Sequence, residues 1–194
     1  MYKYRTLIIA LGFVTLASSL SACAPILIGG AAIGAVTIYT DRRPANVQTN
    51  DKGIQVEVLS ELERDTHNSS IEVAVWNKRV LLVGSVPTQE QKDAITQKYS
   101  NHPNITHLFN ELTVGFKPAL VTKTSDGVLT SRIRSAFVAT QGINSNSIKI
   151  VSEGAKVYLL GWVTQAELER AVSVARQTRG VAEVINLTEI VNKQ

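Results

Sequence analysis

Few residues of this 194-residue sequence have the types and spacing that catalysis or metal binding requires. The three histidines, His67, His102 and His107, lack the spacing of metal ligands, and Pro103 stands between the last two. The sequence contains neither a G-x-S-x-G nucleophile motif nor a phosphate-binding glycine loop. The acidic residues within 57–65 are spaced like the solvated face of a helix. We therefore expect no catalytic residue, no metal site and no enzyme activity.

The most distinctive chemical group is the thiol of Cys23, the one cysteine in the chain. It follows a basic start with Lys3 and Arg5 and an apolar stretch over 7–20, which is the layout of a secretory signal. Residues 20–23, Leu-Ser-Ala-Cys, resemble the bacterial lipobox, where the chain is cut before the cysteine and the thiol takes diacylglycerol. We expect a signal peptide over 1–22 and an anchor whose acyl chains each contribute ~0.8 kcal/mol per buried methylene.

Two other interpretations of this stretch stay open. Cys23 could be an ordinary apolar residue of a signal peptide. Alternatively, the stretch could be an uncleaved transmembrane helix, because no charge occurs between Arg5 and Asp41, although Pro25 and glycines at 29, 30 and 34 interrupt it. Ala24 stands where an aspartate would resemble an inner-membrane retention signal, so we expect a lipid-anchored protein of the outer membrane that faces the periplasm.

The composition sets broad limits on the protein class. With 44% hydrophobic and 19% charged residues, the chain is neither disordered nor wholly embedded in a membrane. Its formal net charge of +4 includes the basic residues of the N-terminal signal, so it does not indicate nucleic-acid binding. A single cysteine allows no intramolecular disulfide, so core burial must hold the fold together.

The sequence contains an internal duplication between residues 51–115 and 125–191. VLLVGSV at 80–86 recurs as VYLLGWV at 157–163, and each is followed by a capping box, TQEQ at 88–91 or TQAE at 164–167. Near the ends, Ile-x-x-Leu-x-Asn at 105–110 parallels Val-x-x-Val-x-Asn at 181–186. So many matches in the same order indicate two copies of one unit.

Each copy is predicted to run helix, strand, strand, helix, strand. Ile54, Val58 and Leu62 form an apolar helical stripe in copy one, as do Leu129, Ile133 and Phe137 in copy two. Alternating apolar residues at 71, 73 and 75 predict a strand, and turns are expected at 77–78 and 153–154. Gly84 and Gly161 fall near the ends of strands, where a special backbone angle or close packing is favoured over ligand contact.

This repeat resembles the BON domain. The features shared with that family are an early amphipathic helix, a strand ending in Leu-x-Gly-x-Val at 82–86 and again at 159–163, and a Gly-Val-x-x-Val-x-Asn ending at 180–186. Copy one departs from the ending, with Pro-Asn-Ile at 103–105. Two such copies behind a lipobox, with Asp-Arg-Arg at 41–43, resemble the DolP/YraP family of dual-BON outer-membrane lipoproteins.

The resemblance implies an α+β fold with two tandem BON domains, in each of which two helices cover a three-stranded sheet. It further implies a periplasmic protein that supports envelope integrity, binds anionic phospholipid and gathers where the cell divides. We expect a lipidated tether over 23–50, BON domains over 51–115 and 125–191, and a linker over 116–124. We expect no cofactor other than the covalent lipid, no nucleic-acid partner and no small-molecule substrate.

The two copies differ in charge, and this difference indicates where a lipid would bind. The first helix of copy one, over 54–65, has four acidic residues and one arginine, whereas its counterpart over 128–141 has two arginines and no acid. An anionic membrane attracts each basic residue by ~1 kcal/mol. We predict that the start of the second helix and the turn after strand 157–163 form a lipid-facing surface, made of Val128, Ser131, Arg132, Arg134, Gly161, Trp162 and Thr164, with Ser135 on the same helix face.

Two alternatives to this surface remain. The arginines could be merely solvated, and Trp162 could pack between the two copies. The chain could also be a module that docks onto envelope-assembly proteins through its acidic first copy.

Overall fold

The computed structural model describes residues 41–66, 69–115 and 120–192, with side chains omitted over 120–124. The predicted signal peptide, Cys23 and most of the predicted tether lie outside these residues. The described part contains two similar modules. Module 1 comprises α1 (Ala45–Asp65), β1 (Ser70–Trp76), β2 (Arg79–Val86), α2 (Gln89–Ser100), β3 (His107–Asn110) and β4 (Thr113–Val114). Module 2 comprises α3 (Leu120–Ala139), a 3₁₀ turn (Ser145–Ser147), β5 (Ile148–Glu153), β6 (Lys156–Val163), α4 (Gln165–Gln177), β7 (Glu183–Asn186) and β8 (Glu189–Ile190).

Both modules have the same sheet topology. In module 1, β2 is the central strand, antiparallel to β1 and parallel to β3 and β4. In module 2, β6 has the same position, antiparallel to β5 and parallel to β7 and β8. This confirms the predicted α+β fold, and the two-residue strands β4 and β8 each extend the predicted three-stranded sheet.

One face of each sheet packs against its own two helices. In module 1, Val80 and Leu82 of β2 join Val58 of α1 and Tyr99 of α2 in a core. In module 2, Leu159 of β6 joins a corresponding core with residues of α3 and α4, including Ile133, Phe137 and Ala171. The predicted helical stripes therefore face the sheets, as an amphipathic helix requires.

The opposite faces of the two sheets pack against each other. Because successive strand residues point to opposite faces, the neighbours of the core residues belong to a third cluster. This inter-module core contains Leu81 and Val83 of β2, Tyr158 and Leu160 of β6, and Trp76 of β1. Burial on both faces explains why each central strand is a nearly continuous apolar run.

Two helices begin earlier than the sequence predicts. The helix α1 starts at Ala45, inside the predicted tether over 23–50, and α3 starts at Leu120, inside the predicted linker over 116–124. The first turn of α1 is exposed, so it has no apolar periodicity to mark it. Its start is stabilised instead by the Gln48 side chain, whose Nε2 donates to the Arg43 carbonyl oxygen at 2.8 Å.

Candidate functional site

The exposed side of α3 brings together four of the residues singled out in the sequence. Val128, Ser131, Arg132 and Ser135 line a shallow open depression beside Gly127. Their spacing places them on one helix face, and the buried residues Leu129, Ile133 and Phe137 occupy the opposite face. Arg134 and Val138 continue the exposed side of the helix, although Arg134, two positions from Arg132, lies at the opposite edge of that side. We call Val128, Ser131, Arg132, Arg134, Ser135 and Val138 the α3 outer face.

Val138 is an apolar member of this face that the sequence reasoning missed. Its side chain is 70% exposed, and Val128 at the other end of the face is 45% exposed. The residues between them are polar or small, so only the continued helical spacing from Val128 and Ser135 could have indicated its place. The α3 outer face therefore has an apolar residue near each end and arginines between them.

The side chains of both arginines of the α3 outer face are exposed. Within the described residues, neither Arg132 nor Arg134 has a side-chain hydrogen bond or an ion pair. The hydroxyls of Ser131 and Ser135 instead donate to the helix carbonyls of Gly127 and Ser131, at 2.9 and 3.0 Å. Both guanidinium groups are thus available to an external anion, and bidentate pairing with phosphate is their preferred geometry.

The other predicted site residues have structural contacts elsewhere in module 2. Gly161 is buried, and a Cβ there would collide with the Ser147 carbonyl oxygen of the adjacent chain segment. Trp162 is half-buried against the inter-module core, and its Nε1 donates to Glu189 Oε2 at 2.7 Å. Thr164 is the N-cap of α4, in a reciprocal capping box with Glu167. The structure does not place these three residues on the α3 outer face.

Two of the acidic side chains of α1 share a lysine within module 1. Lys98 of α2 pairs with Glu61 at 2.9 Å and with Asp65 at 2.8 Å. Hydrogen bonding from Lys98 lowers the pKa of both carboxyl groups. His102 Nε2 lies 3.6 Å from Glu57. These contacts stabilise the packing of α1 against α2, and they reduce the negative charge that α1 presents outward.

Two pairs of equivalent polar residues, not identified as functional in the sequence, hold the turns of both modules. The buried carboxylate of Asp51 accepts from Asn77 N at 2.7 Å and from Lys78 N at 2.9 Å, and both turn residues have positive φ. Asp126 accepts from the equivalent turn at Gly154 and Ala155.

In the second pair, Asn110 Oδ1 accepts from Leu112 N, and Asn186 Oδ1 accepts from Thr188 N. The asparagine of the repeated ending therefore forms the turn between the third strand of a module and its short last strand.

Neither a metal cluster nor a membrane-crossing helix is found in the described ranges. Among residues 41–66, 69–115 and 120–192, no group of three or more His, Cys, Asp or Glu residues could hold a metal ion. In the same ranges, every helix is too short or too polar to cross a membrane. His67 lies outside the described residues.

Comparisons with known proteins place both modules in one family model. The BON domain model matches residues 50–115 and 125–192. The chain is 30% identical over 171 residues to the outer membrane lipoprotein DolP of Haemophilus influenzae, covering 87% of this chain and 88% of that protein. It is 28% identical over 154 residues to a 21 kDa hemolysin of Actinobacillus pleuropneumoniae, covering 78% and 79%. It is also 27% identical over 143 residues to an uncharacterized protein in the gshII 5' region of Anaplasma centrale, covering 73% and 95%.

Proposed function

Because this chain belongs to the BON-domain family, within the dual-BON DolP/YraP group of envelope lipoproteins, we propose that it is a non-catalytic outer-membrane lipoprotein that binds anionic phospholipid through the α3 outer face. The anchor is the acylated Cys23, and the folded modules lie on the periplasmic side. Support of envelope integrity and gathering at the division site follow from the family resemblance and are part of the same proposal.

The main support for the proposal is that the arginines of the α3 outer face are exposed, with no ion pair in the described residues. Arg132 and Arg134 have no partner within the described residues, whereas Glu61 and Asp65 of module 1 share Lys98. An anionic surface attracts each free cation by ~1 kcal/mol, so the two arginines together contribute ~2 kcal/mol. Val128 and Val138 supply apolar contacts that can enter the headgroup layer beside them.

This contact is weak by itself, and the anchor makes it effective. A few kcal/mol corresponds only to a millimolar affinity for a free protein. Acyl chains on Cys23 hold the modules near the bilayer, which raises the effective concentration of lipid at the α3 outer face. We leave Gly161, Trp162 and Thr164 out of the contact surface because each already has a structural role in module 2.

The second candidate function is docking of an envelope-assembly protein on α1. One observation favours it, since Val56 is 58% exposed on α1, next to Glu57 in the chain. Against it, Glu61 and Asp65 already bind Lys98, so α1 offers a partner less charge than its sequence indicates. Lipid binding is therefore the proposal that we favour.

Vesicle titration of the compact unit Ile38–Gln194 tests the lipid proposal without the anchor. We expect binding to phosphatidylglycerol vesicles, none to phosphatidylcholine vesicles, and loss of binding at high salt because charges are screened. In the variant Arg132→Glu with Arg134→Glu, the loss of ~2 kcal/mol predicts at least a roughly 30-fold weaker association.

The matched control is Arg176→Glu with Arg179→Glu, which changes two exposed arginines of the same module and gives the same net charge. The control should bind as the parent does. Equal weakening in both variants would mean that net charge and not the α3 outer face determines binding. Absence of vesicle binding, together with a protein crosslinked to α1, would support the docking function instead.

A further inference from the structure

The segment Asp41–Arg42–Arg43 contacts both modules, although the sequence predicts a lipidated tether over 23–50. Arg42 contacts module 2 and Arg43 contacts module 1, and the two are neighbours in the chain. We propose that these three residues form an inter-module clasp, which fixes the packing of the two modules. The clasp does not depend on the proposed lipid binding.

Arg42 makes three contacts to module 2. Its Nη2 donates to Glu167 Oε1 at 2.8 Å, its Nη1 donates to the Trp162 carbonyl oxygen at 3.0 Å, and its backbone N donates to Ser147 Oγ at 3.2 Å. Burial raises the pKa of Glu167, but the hydrogen bonds from Arg42 and Thr164 outweigh it and hold that pKa below its usual value. The carboxylate of Glu167 is therefore charged and ready to pair with Arg42.

Arg43 makes its contacts with module 1. Its Nη1 donates to the buried Asp51 Oδ2 at 2.7 Å, and its guanidinium carbon lies 3.4 Å from the centroid of the Trp76 ring. Asp41 holds the same guanidinium through Nη2 at 2.7 Å and Nε at 3.3 Å. Ion pairing and stacking on indole together fix the orientation of Arg43, which is only 12% exposed.

The clasp closes over the inter-module core. Trp76 belongs to that core, and Trp162 packs against it. Arg42 and Arg43 are neighbours in the chain and bind different modules. When one of them binds its module, the other is held beside its own partner at a high effective concentration. The segment 41–43 thereby gives the modules a second connection, in addition to the chain that links β4 to α3.

The test uses the full-length protein in detergent micelles and the fluorescence of Trp76. The chain has two tryptophans, so Trp162→Phe leaves Trp76 as the one indole probe. The variant Arg42→Gln removes side-chain contacts only from module 2, whereas the probe is in module 1. If the clasp holds the modules together, Trp76 emission shifts to the red and acrylamide quenching rises several-fold. The charge-matched control Arg179→Gln, an exposed arginine, leaves both measurements unchanged.

A second variant separates bridging from local stabilisation. Two glycines inserted between Arg42 and Arg43 keep both side chains and both module cores but lengthen the bridge. We expect this variant to retain its far-ultraviolet circular dichroism and to show the same direction of change in Trp76 fluorescence. Unchanged Trp76 emission and quenching in the folded insertion variant would overturn the proposal, whatever the stability of Arg42→Gln.

Discussion

At the scale of single residues, the contacts of the arginines separate structural from exposed roles. Arg42 and Arg43 each have carboxylate partners, whereas Arg132 and Arg134 have none within the described residues. A paired guanidinium stabilises the fold because removing it leaves a buried carboxylate without its partner. Removing an unpaired guanidinium does not destabilise the fold, so we infer that such a group acts in contacts with other molecules.

A prediction at this scale concerns the glycines of the central strands. Gly84 has φ of +113°, and a Cβ there would collide with the Ser70 carbonyl oxygen. We expect Gly84→Ala to lower the free energy of unfolding by roughly 2–4 kcal/mol, because backbone strain and a steric clash add together. Gly161→Ala has the clash without a positive φ, so we expect a smaller loss.

Chemical denaturation measures both losses. Gly53→Ala is the matched control, since it lies within α1 with nothing within 4 Å of the added Cβ. It should stabilise the protein by up to about 1 kcal/mol through helix propensity. If Gly84→Ala were as stable as the parent, the close approach of β1 and β2 would be refuted.

A second prediction concerns the titration of two tyrosines. Burial raises the pKa of both Tyr99 and Tyr158 to about 12, with further contributions from Glu61 and Glu111 respectively. The pKa of each tyrosine is therefore higher in the folded protein than the unfolded value of 10.0. The neutral phenols contribute their full stabilisation of the fold below pH 10, and this contribution is lost as the pH rises toward 12.

Absorbance at 295 nm, compared between the parent and each Tyr→Phe variant, isolates the two phenols. Ionisation of Tyr99 or Tyr158 near pH 10 in the folded protein would contradict their burial.

The sequence identifies which of these residues are special but not always what each one contacts. Position and spacing single out Gly84, Gly161 and Trp162. An indole suits a membrane interface as well as a protein interface, so composition could not decide between them for Trp162. The structure shows that it packs against the inter-module core.

At the scale of elements, α1 and α3 are equivalent helices with different outer faces. Both pack an apolar stripe on a sheet, and both hold the turn of the following hairpin through an aspartate, Asp51 or Asp126. The duplication has kept what the fold needs on the inner side. The outer side has diverged, from acids paired with Lys98 in α1 to arginines in α3 that have no ion pair in the part of the chain that the structure describes.

The helix caps give the prediction at this scale. The capping box of α4 is complete, with Thr164 and Glu167 each bonding the backbone of the other. In α2, Thr88 accepts from Gln91 N, while the Gln91 side-chain oxygen has no partner in the described residues. We expect Thr164→Ala to lower the free energy of unfolding by about 1–2 kcal/mol and Thr88→Ala to lower it by about half as much.

Thermal unfolding of the two variants measures this difference. Thr188→Ala serves as a control, because that hydroxyl donates to Asn186 Oδ1 in a turn between strands and not at a helix start. Equal losses at Thr164 and Thr88 would show that the reciprocal bond of Glu167 adds nothing to the cap.

Helices and strands were predictable where burial of one face leaves a regular hydrophobic spacing in the sequence. The stripes of α1 and α3 and the central strands follow that rule. The exposed first turn of α1 leaves no such period, so the sequence does not show that this helix begins at Ala45, inside the predicted tether. The duplicated turn aspartates could have been found by aligning the copies over residues 51 and 126.

At the scale of the whole molecule, two modules share one inter-module core. Each module is small for independent stability, and the shared core buries apolar surface that would otherwise face water. Residues of β2 and β6 alternate between a module core and the inter-module core, so the sheets couple the two modules. We infer that Ile38–Gln194 unfolds as one cooperative unit.

Substitutions at neighbouring positions of β6 test this coupling. Leu160 lies in the inter-module core and Leu159 in the core of module 2, and both are almost fully buried. Each Leu→Ala change should therefore lower the free energy of unfolding by about 2–5 kcal/mol. Leu160→Glu should also separate the modules, because a buried unpaired carboxylate is unfavourable there.

Calorimetry distinguishes the two positions. We expect one melting transition for the parent and for Leu159→Ala, and two transitions for Leu160→Glu. A single transition of parental stability in Leu160→Glu would show that the sheet faces do not pack together.

The central claim is that the α3 outer face, and not α1, meets an anionic bilayer. The most direct measurement places an environment-sensitive fluorescent amino acid at Val128, Val138 or Val56 in the full-length acylated protein, reconstituted into liposomes. All three side chains are well exposed, at 45%, 70% and 58%, so the label should not disturb a core. With phosphatidylglycerol present, the account predicts blue-shifted emission at Val128 and Val138 and water-like emission at Val56. Water-like emission at all three positions, or a blue shift at Val56 alone, would contradict it.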